Sequence, residues 1–219
     1  MYSKELARSG HALFIIRGAY IYIVIGIGVL IAWCSGRLGP FATAEANCAW
    51  FWVSFAVATG AAILRIIVGG YAALGTSGNA KKAAEASELN TTGPYSLVRN
   101  PLYVFTIIGV AGVGAQTGSL TMAVGLALLV AIVFYAVALQ EQAFLADAFG
   151  DEYRAYAERV PLFLPRFSTW QEADQLTIVP MLVRRTFMDA SLFLLAIPLD
   201  DVIRWLQDNN WVHVLAHLP

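Results

Sequence analysis

Between Arg99 and Glu141 the sequence reads NPLYVFTIIGVAGVGAQTGSLTMAVGLALLVAIVFYAVALQ, residues 100–140, without a single charged side chain. A helix that crosses the hydrocarbon core of a bilayer needs about 20 apolar residues. The run therefore predicts two membrane-spanning helices, with a tight reversal between Gln116 and Ser119. Such a helical hairpin returns its two ends to one face of the membrane. We therefore expect the polar motifs that flank the run to meet at that face.

The composition of the chain is that of an integral membrane protein. Its 219 residues are 58% hydrophobic and 13% charged, and the mean hydropathy is +0.64. A soluble domain has about 25% charged residues. The net charge of -1 gives no field that would attract nucleic acid. The chain has no CxxC or HExxH motif and three scattered histidines, so no metal site is predicted.

The apolar runs predict an all-α, polytopic fold with four membrane-spanning helices. The first two run from about Gly18 to Cys34 and from about Cys48 to Val68, and the charge-free hairpin supplies the third and fourth. Phe187 to Leu199 is apolar but short, so it is either a short fifth span or a helix in the interface. An interfacial helix suits the tryptophans that follow, Trp205 and Trp211.

The whole chain, residues 1–219, is expected to form a single helical membrane domain. Residues 1–68 hold the first two spans, and residues 69–167 hold the hairpin with its flanking motifs. Residues 168–219 contain C-terminal helices that the sequence does not place relative to the membrane. Within the middle part, an amphipathic stretch from Glu141 to Val160 follows the hairpin, and two prolines end it.

Positively charged side chains alternate between the predicted loops. They are Lys4, Arg8 and Arg17 before the first span, Lys81, Lys82 and Arg99 between the second and third, and Arg154, Arg159, Arg166, Arg184 and Arg185 after the fourth. The positive-inside rule places these segments, and both polar motifs, on the cytoplasmic side. Soluble cofactors of the cytosol would have access there.

The motif before the hairpin combines a turn with a helix start. Gly93-Pro94 predicts a turn, and Asn100-Pro101 is typical of a helix that begins with an Asn cap and Pro at its first position. A helix N-terminus attracts anions, and Arg99 adds a permanent planar charge that suits a carboxylate or phosphate. The structural alternative is an ordinary cap, with Arg99 reaching a lipid phosphate.

The motif after the hairpin begins with a carboxylate. Glu141 can bond a ribose hydroxyl, hold an ammonium group or accept a proton, or it can simply mark the membrane boundary. Leu145, Phe149, Tyr153 and Tyr156 follow at helical spacing. A stripe of this kind forms either a packing face or one wall of a cofactor site.

Together the two motifs resemble the superfamily of isoprenylcysteine carboxyl methyltransferases and phospholipid methyltransferases. The matching residues are Thr92, Gly93, Tyr95, Arg99, Pro101 and Tyr103, then Glu141, Leu145, Phe149, Gly150, Tyr153, Tyr156 and Pro165. The resemblance extends over about residues 64–167. Two positions depart from the family pattern, because Asn100 stands where the family has His and Gln142 where it has a second Glu.

The resemblance implies a methyltransferase that uses S-adenosylmethionine and acts on a lipidic or prenylated acceptor, with the cofactor held by residues 69–167. The implied cofactor-binding residues are Thr92, Gly93, Pro94, Tyr95, Arg99, Asn100, Pro101, Tyr103, Glu141, Gln142, Tyr153 and Tyr156. Arg99 and Glu141 are the expected catalytic residues. Glu141 would bond the ribose or amino group of the cofactor, and Arg99 would hold its carboxylate or orient an anionic acceptor.

The two departures favour an anionic oxygen, a carboxylate or phosphate, as the methyl acceptor. Asn100 does not titrate near neutral pH and Gln142 carries no charge, whereas an amine acceptor needs a base to remove its proton. A phospholipid amine N-methyltransferase is the nearest alternative. A non-catalytic scaffold of the same fold and an NADPH-dependent membrane reductase also remain open.

Overall fold

The structure is a computed structural model, and it describes residues 20, 22–37, 40–72, 88–172, 178 and 180–218. In these ranges the helices are α1 (Tyr22–Cys34), α2 (Ala44–Tyr71), α3 (Pro94–Leu97), α4 (Pro101–Gln116), α5 (Leu120–Arg159), α6 (Pro180–Leu194) and α7 (Ala196–Asp208), with a 3-10 turn at Phe167–Thr169. Two short strands, β1 (Ser35–Arg37) and β2 (Ala216–Leu218), pair in parallel. The prediction of a helical fold is confirmed, and the two three-residue strands are a minor addition too short for a hydrophobic pattern to reveal.

Two helices are long and apolar enough to cross a membrane. They are α2, with 28 residues, and α5, with 40 residues, and only 28% and 39% of their most apolar windows are buried. Large apolar side chains therefore cover the outside of both helices, among them Trp52, Val53, Leu128 and Ile132. An extended apolar exterior of this kind indicates contact with lipid, so the fold is that of a membrane protein.

Of the four predicted full spans, two correspond to helices that are long and apolar enough to cross a membrane, and the other two, as far as the structure describes them, do not. The third predicted span, α4, has 16 residues and is about 24 Å long, shorter than the ~30 Å hydrocarbon core. The predicted start of the first span at Gly18 lies outside the described residues, and α1 has 13 residues from Tyr22 onward. The predicted segment Phe187 to Leu199 is not one helix, because the helix is interrupted by a turn at Leu195, between α6 and α7.

The predicted reversal of the hairpin is confirmed. The turn uses Gly118 at φ 72°, a left-handed conformation that glycine adopts without strain. On one side, the hydroxyl of Thr117 donates to the carbonyl of Gly114 at 2.7 Å. On the other, the hydroxyl of Ser119 accepts a hydrogen bond from the Met122 amide at 3.1 Å. Ser119 thus caps the first turn of α5.

Helix α5 continues well beyond the charge-free run. Its uncharged part, 120–140, is about 31 Å long, close to the thickness of the hydrocarbon core. The amphipathic stretch that begins at Glu141 belongs to the same helix, which bends at Gly150, where φ is 53° and ψ is -122°. The helix ends at Arg159, two residues before Pro161.

The chain divides into two compact units. Unit 1 contains Leu64–Phe105 and Val133–Met188. Unit 2 contains Arg17–Ile63, Thr106–Ile132 and Asp189–Pro219. Both polar motifs lie in unit 1.

In unit 2, side chains satisfy the carbonyl groups that helix ends leave without partners. At the end of α4, the indole nitrogen of Trp50 donates to the Ala115 carbonyl at 2.9 Å, and Arg204 donates to the Gln116 carbonyl at 2.5 Å. At the end of α1, the side-chain amide of Gln207 donates to the carbonyl groups of Ala32, Trp33 and Ser35. Helices α4 and α1 are thereby fixed at their C-terminal ends.

Candidate active site

The turn before the hairpin is built on Gly93 and Ser96. Gly93 has φ 56° and ψ -133°, which only glycine adopts readily. Ser96 is fully buried, and its hydroxyl donates to the Gly93 carbonyl at 2.6 Å. The hydroxyl oxygen of Ser96 also accepts a hydrogen bond from the backbone amide of Gln171 at 2.9 Å. Ser96 therefore joins the turn to a segment more than seventy residues downstream.

The segment Pro161–Gln171, which we call the strap, runs along the whole first motif. Three backbone hydrogen bonds hold the strap: Arg99 N to Pro161 O at 2.9 Å, Arg166 N to Leu97 O at 2.9 Å and Gly93 N to Gln171 O at 2.7 Å. A fourth bond runs from the side-chain amide of Asn100 to the Leu162 carbonyl at 3.3 Å. Because a backbone bond orders the residues that flank it, the strap fixes the direction in which the Arg99 side chain leaves the chain.

We expect Ser96→Ala to destabilise the protein by about 1–3 kcal/mol, because the buried Gly93 carbonyl would lose a donor and the Gln171 amide its acceptor. The measurement is the thermal transition of the purified protein in detergent. Ser168→Ala, on an exposed strap residue, is the control and should leave the transition unchanged. Equal transitions for both variants would show that Ser96 does not anchor the strap.

Arg99 joins the two motifs. Its Nη1 atom donates to the side-chain oxygen of Gln142 at 2.8 Å and to the Tyr153 hydroxyl at 3.4 Å. In the same unit, the Tyr103 hydroxyl donates to a carboxylate oxygen of Glu141 at 3.0 Å. Residues from the start of α4 and from the far part of α5 thus form one polar cluster, the arginine cluster.

Tyrosine rings surround the arginine cluster. The ring of Tyr103 stacks on Phe134 at a centroid distance of 4.5 Å, and Tyr153 meets Tyr156 edge to face at 6.1 Å. The Tyr156 hydroxyl donates to the Tyr95 carbonyl at 2.7 Å. These tyrosines are half-buried or buried, so they limit the access of water to the cluster.

Two buried donors in unit 1 have no hydrogen-bond partner among the described residues. They are the Nε atom of Arg99 and the hydroxyl of Tyr95. Burial raises the pKa of Tyr95, and the negative charge of Glu141 raises it further, so the phenol remains a donor at neutral pH. An unsatisfied buried donor costs about 1–3 kcal/mol, which a ligand with acceptor oxygens would recover. The residues therefore fit a polar cofactor such as S-adenosylmethionine.

The structure brings most of the predicted site residues together in unit 1. Arg99, Tyr103, Glu141, Gln142 and Tyr153 form the arginine cluster. Thr92, Gly93, Pro94 and Tyr95 form the turn beside the strap, and Tyr156 bonds to that turn. Pro101 begins α4 as predicted and is fully buried, while the side chain of Asn100 contacts the strap. The functional role of each residue stays a prediction.

Sequence reasoning missed Ser96 and the strap. A single serine within a turn has no distinctive spacing, and the strap has irregular backbone, so neither gives a periodic signal. The matched Pro165 was the nearest indication that this segment belongs to the site. The contacts of the strap are backbone hydrogen bonds between residues far apart in sequence, which no local pattern predicts.

A small pocket of about 40 Å³ lies in unit 2, lined by residues of α1, α4, α5 and α7 and of the hairpin turn. The residues that line the pocket are mostly apolar. Two of them, Gly28 and Gly114, pack closely against Leu126 and Ala123 of α5. Asp200, which is buried and pairs with Arg204 at 3.5 Å, is its charged lining residue. The sequence analysis did not anticipate this pocket.

Comparison with known proteins agrees with the arrangement of the motifs. Residues 51–152 match the family model for phospholipid methyltransferases. This segment, just under half of the chain, is similar to that family, which lies within the superfamily suggested by the two motifs. The resemblance to this superfamily, which the sequence predicted, is therefore confirmed.

Two curated bacterial proteins are similar to the chain. The cobalt-zinc-cadmium resistance protein CzcN of Cupriavidus metallidurans is 42% identical over 106 residues, 48% of this chain and 49% of that protein. The nickel-cobalt-cadmium resistance protein NccN of Alcaligenes xylosoxydans xylosoxydans is 34% identical over 135 residues, 62% of this chain and 63% of that protein. The chain thus spans less than two thirds of the length of either relative. No solved structure matches it significantly.

Proposed function

We propose that the protein is a multi-pass membrane methyltransferase that uses S-adenosylmethionine and methylates a lipidic or prenylated acceptor at an anionic oxygen. The observation that carries the proposal is the arginine cluster, in which Arg99 contacts Gln142 and Tyr103 contacts Glu141. The family of residues 51–152 supports the class of reaction. The loop charges support an active site on the cytoplasmic side.

S-adenosylmethionine, when bound, supplies a methyl group on a positively charged sulfur, already activated for transfer. The chain must therefore align the acceptor and exclude water rather than provide strong acid or base catalysis. Glu141 would bond the ribose or amino group of the cofactor, and Arg99 would hold an oxyanion. The tyrosines Tyr95, Tyr103, Tyr153 and Tyr156 would shield the site, and a carboxylate or phosphate acceptor would need no proton removed.

The test is to incubate membranes that contain the protein with methyl-labelled S-adenosylmethionine and analyse the lipid extract by mass spectrometry. We expect a labelled species that is absent when Arg99→Met replaces the wild type. A label on nitrogen instead of oxygen would identify a phospholipid amine N-methyltransferase. Absence of label, combined with binding of NADPH in calorimetric titration, would identify a reductase. Absence of both the label and NADPH binding would identify the protein as a non-catalytic scaffold.

A second candidate function, a contribution to metal resistance, is suggested by the names of the two relatives. We propose that methylation of a membrane component would mediate it in this chain. The test is growth of a metal-sensitive bacterium in cadmium or cobalt with wild type or Arg99→Met. Loss of resistance in Arg99→Met would show that resistance depends on the arginine cluster. Equal growth of cells with wild type and with Arg99→Met would show that metal resistance does not depend on methyl transfer.

A further inference from the structure

The direct partners of the Arg99 side chain are electrically neutral. One is the amide oxygen of Gln142 and the other is the hydroxyl of Tyr153. The described ion pairs involve Arg154 and Arg204, and in the described part of the chain no carboxylate pairs with Arg99. Its charge is therefore not matched by a contacting anion.

The geometry holds this charge in place. The backbone of Arg99 is fixed by the strap through the Pro161 carbonyl at 2.9 Å, and the Nη1 end is fixed by Gln142. The Nε atom is buried and has no partner among the described residues. A partly buried guanidinium attracts an anion more strongly than a fully exposed one because the surroundings screen the charge less. Its remaining donors match the oxygen atoms of a carboxylate or phosphate.

We propose that Gln142 sets the ligand charge of this site, because its neutral amide orients Arg99 without cancelling the charge and so leaves the guanidinium able to bind an oxyanion. The ligand class is a carboxylate or phosphate oxygen. The two sources of that chemistry are the amino-acid end of the cofactor and the head group of the acceptor, and the choice between them rests on the proposed function. Gln142→Glu tests the idea with minimal change of shape, since it replaces the amide by a carboxylate that would occupy Arg99 itself.

The first experiment needs no methyl transfer. The thermal transition of the purified protein in a neutral detergent is measured in sodium sulfate and in sodium chloride at equal ionic strength. We expect sulfate to raise the transition temperature of the wild type and of Asn210→Asp, an exposed position that undergoes the same amide-to-carboxylate change. We expect a smaller rise in Gln142→Glu, in which only the general stabilising effect of sulfate remains. A wild type that does not respond to sulfate, or a Gln142→Glu variant that responds equally, would overturn the proposal.

The second experiment identifies the source of the oxyanion. S-adenosylhomocysteine and methylthioadenosine, which lacks the amino-acid group, are titrated into wild type and Gln142→Glu. A loss of about tenfold or more in affinity for the first compound alone would assign Arg99 to the cofactor carboxylate. Unchanged affinities with a raised KM for an anionic acceptor would assign it to the acceptor. A wild type that responds to sulfate but binds neither nucleoside would refute the proposed function while supporting the anion site.

Discussion

Replacement of Glu141 by alanine is expected to lower the affinity for S-adenosylhomocysteine by about 10- to 100-fold. A hydrogen bond to a charged group contributes about 1.5–3 kcal/mol, which corresponds to that range. Glu141 lies in the arginine cluster, where the Tyr103 hydroxyl holds its carboxylate at 3.0 Å. The measurement is calorimetric titration of the purified protein. Because Glu141 is only half-buried, the variant should keep the wild-type thermal transition.

The control for this prediction is Glu158→Ala, which removes an exposed carboxylate from the same helix. We expect it to bind S-adenosylhomocysteine like the wild type. Tyr103→Phe should give an intermediate loss, since it removes the donor that orients Glu141 and keeps the carboxylate. Unchanged affinity in Glu141→Ala would exclude Glu141 from the binding site.

Replacement of Gly112 by valine is expected to destabilise unit 2 by roughly 3 kcal/mol or more, the upper end of the cost of overpacking. A Cβ atom at Gly112 on α4 would lie 2.7 Å from the amide nitrogen and 2.9 Å from the Cα atom of Ala58 on α2. Both are backbone atoms, so the clash cannot be relieved by a change of rotamer and the helices must separate. The measurement is the thermal transition of the protein in detergent.

Gly125→Val is the matched control for this helix contact. Gly125 also lies within a helix, α5, but a Cβ atom there would have no neighbour within 4 Å. We expect its stability to stay within about 0.5 kcal/mol of the wild type. Equal destabilisation by both variants would mean that helix propensity, and not the contact between α2 and α4, determines the effect at Gly112.

The sequence predicted the parts of the fold that depend on local hydropathy and local turn chemistry. The reversal at Gly118, the start of α4 at Pro101 and the membrane character of α2 and α5 followed from such patterns. The sequence could not predict where one helix would end and another continue. Nothing in the hydropathy separates α4, which is too short for a full span, from α5, which continues past the apolar run into the amphipathic stretch.

The sequence by itself determined that two polar motifs flank a hairpin and that both resemble the motifs of a methyltransferase family. Tertiary structure decided which of those residues touch. The contact of Arg99 with Gln142 depends on the strap that holds the backbone of Arg99, and Tyr153 reaches Arg99 from beyond the bend of α5 at Gly150. A hydropathy pattern fixes where a helix lies in the chain, but it does not fix the rotation of one helix against another. The contacts between side chains distant in sequence depend on that rotation.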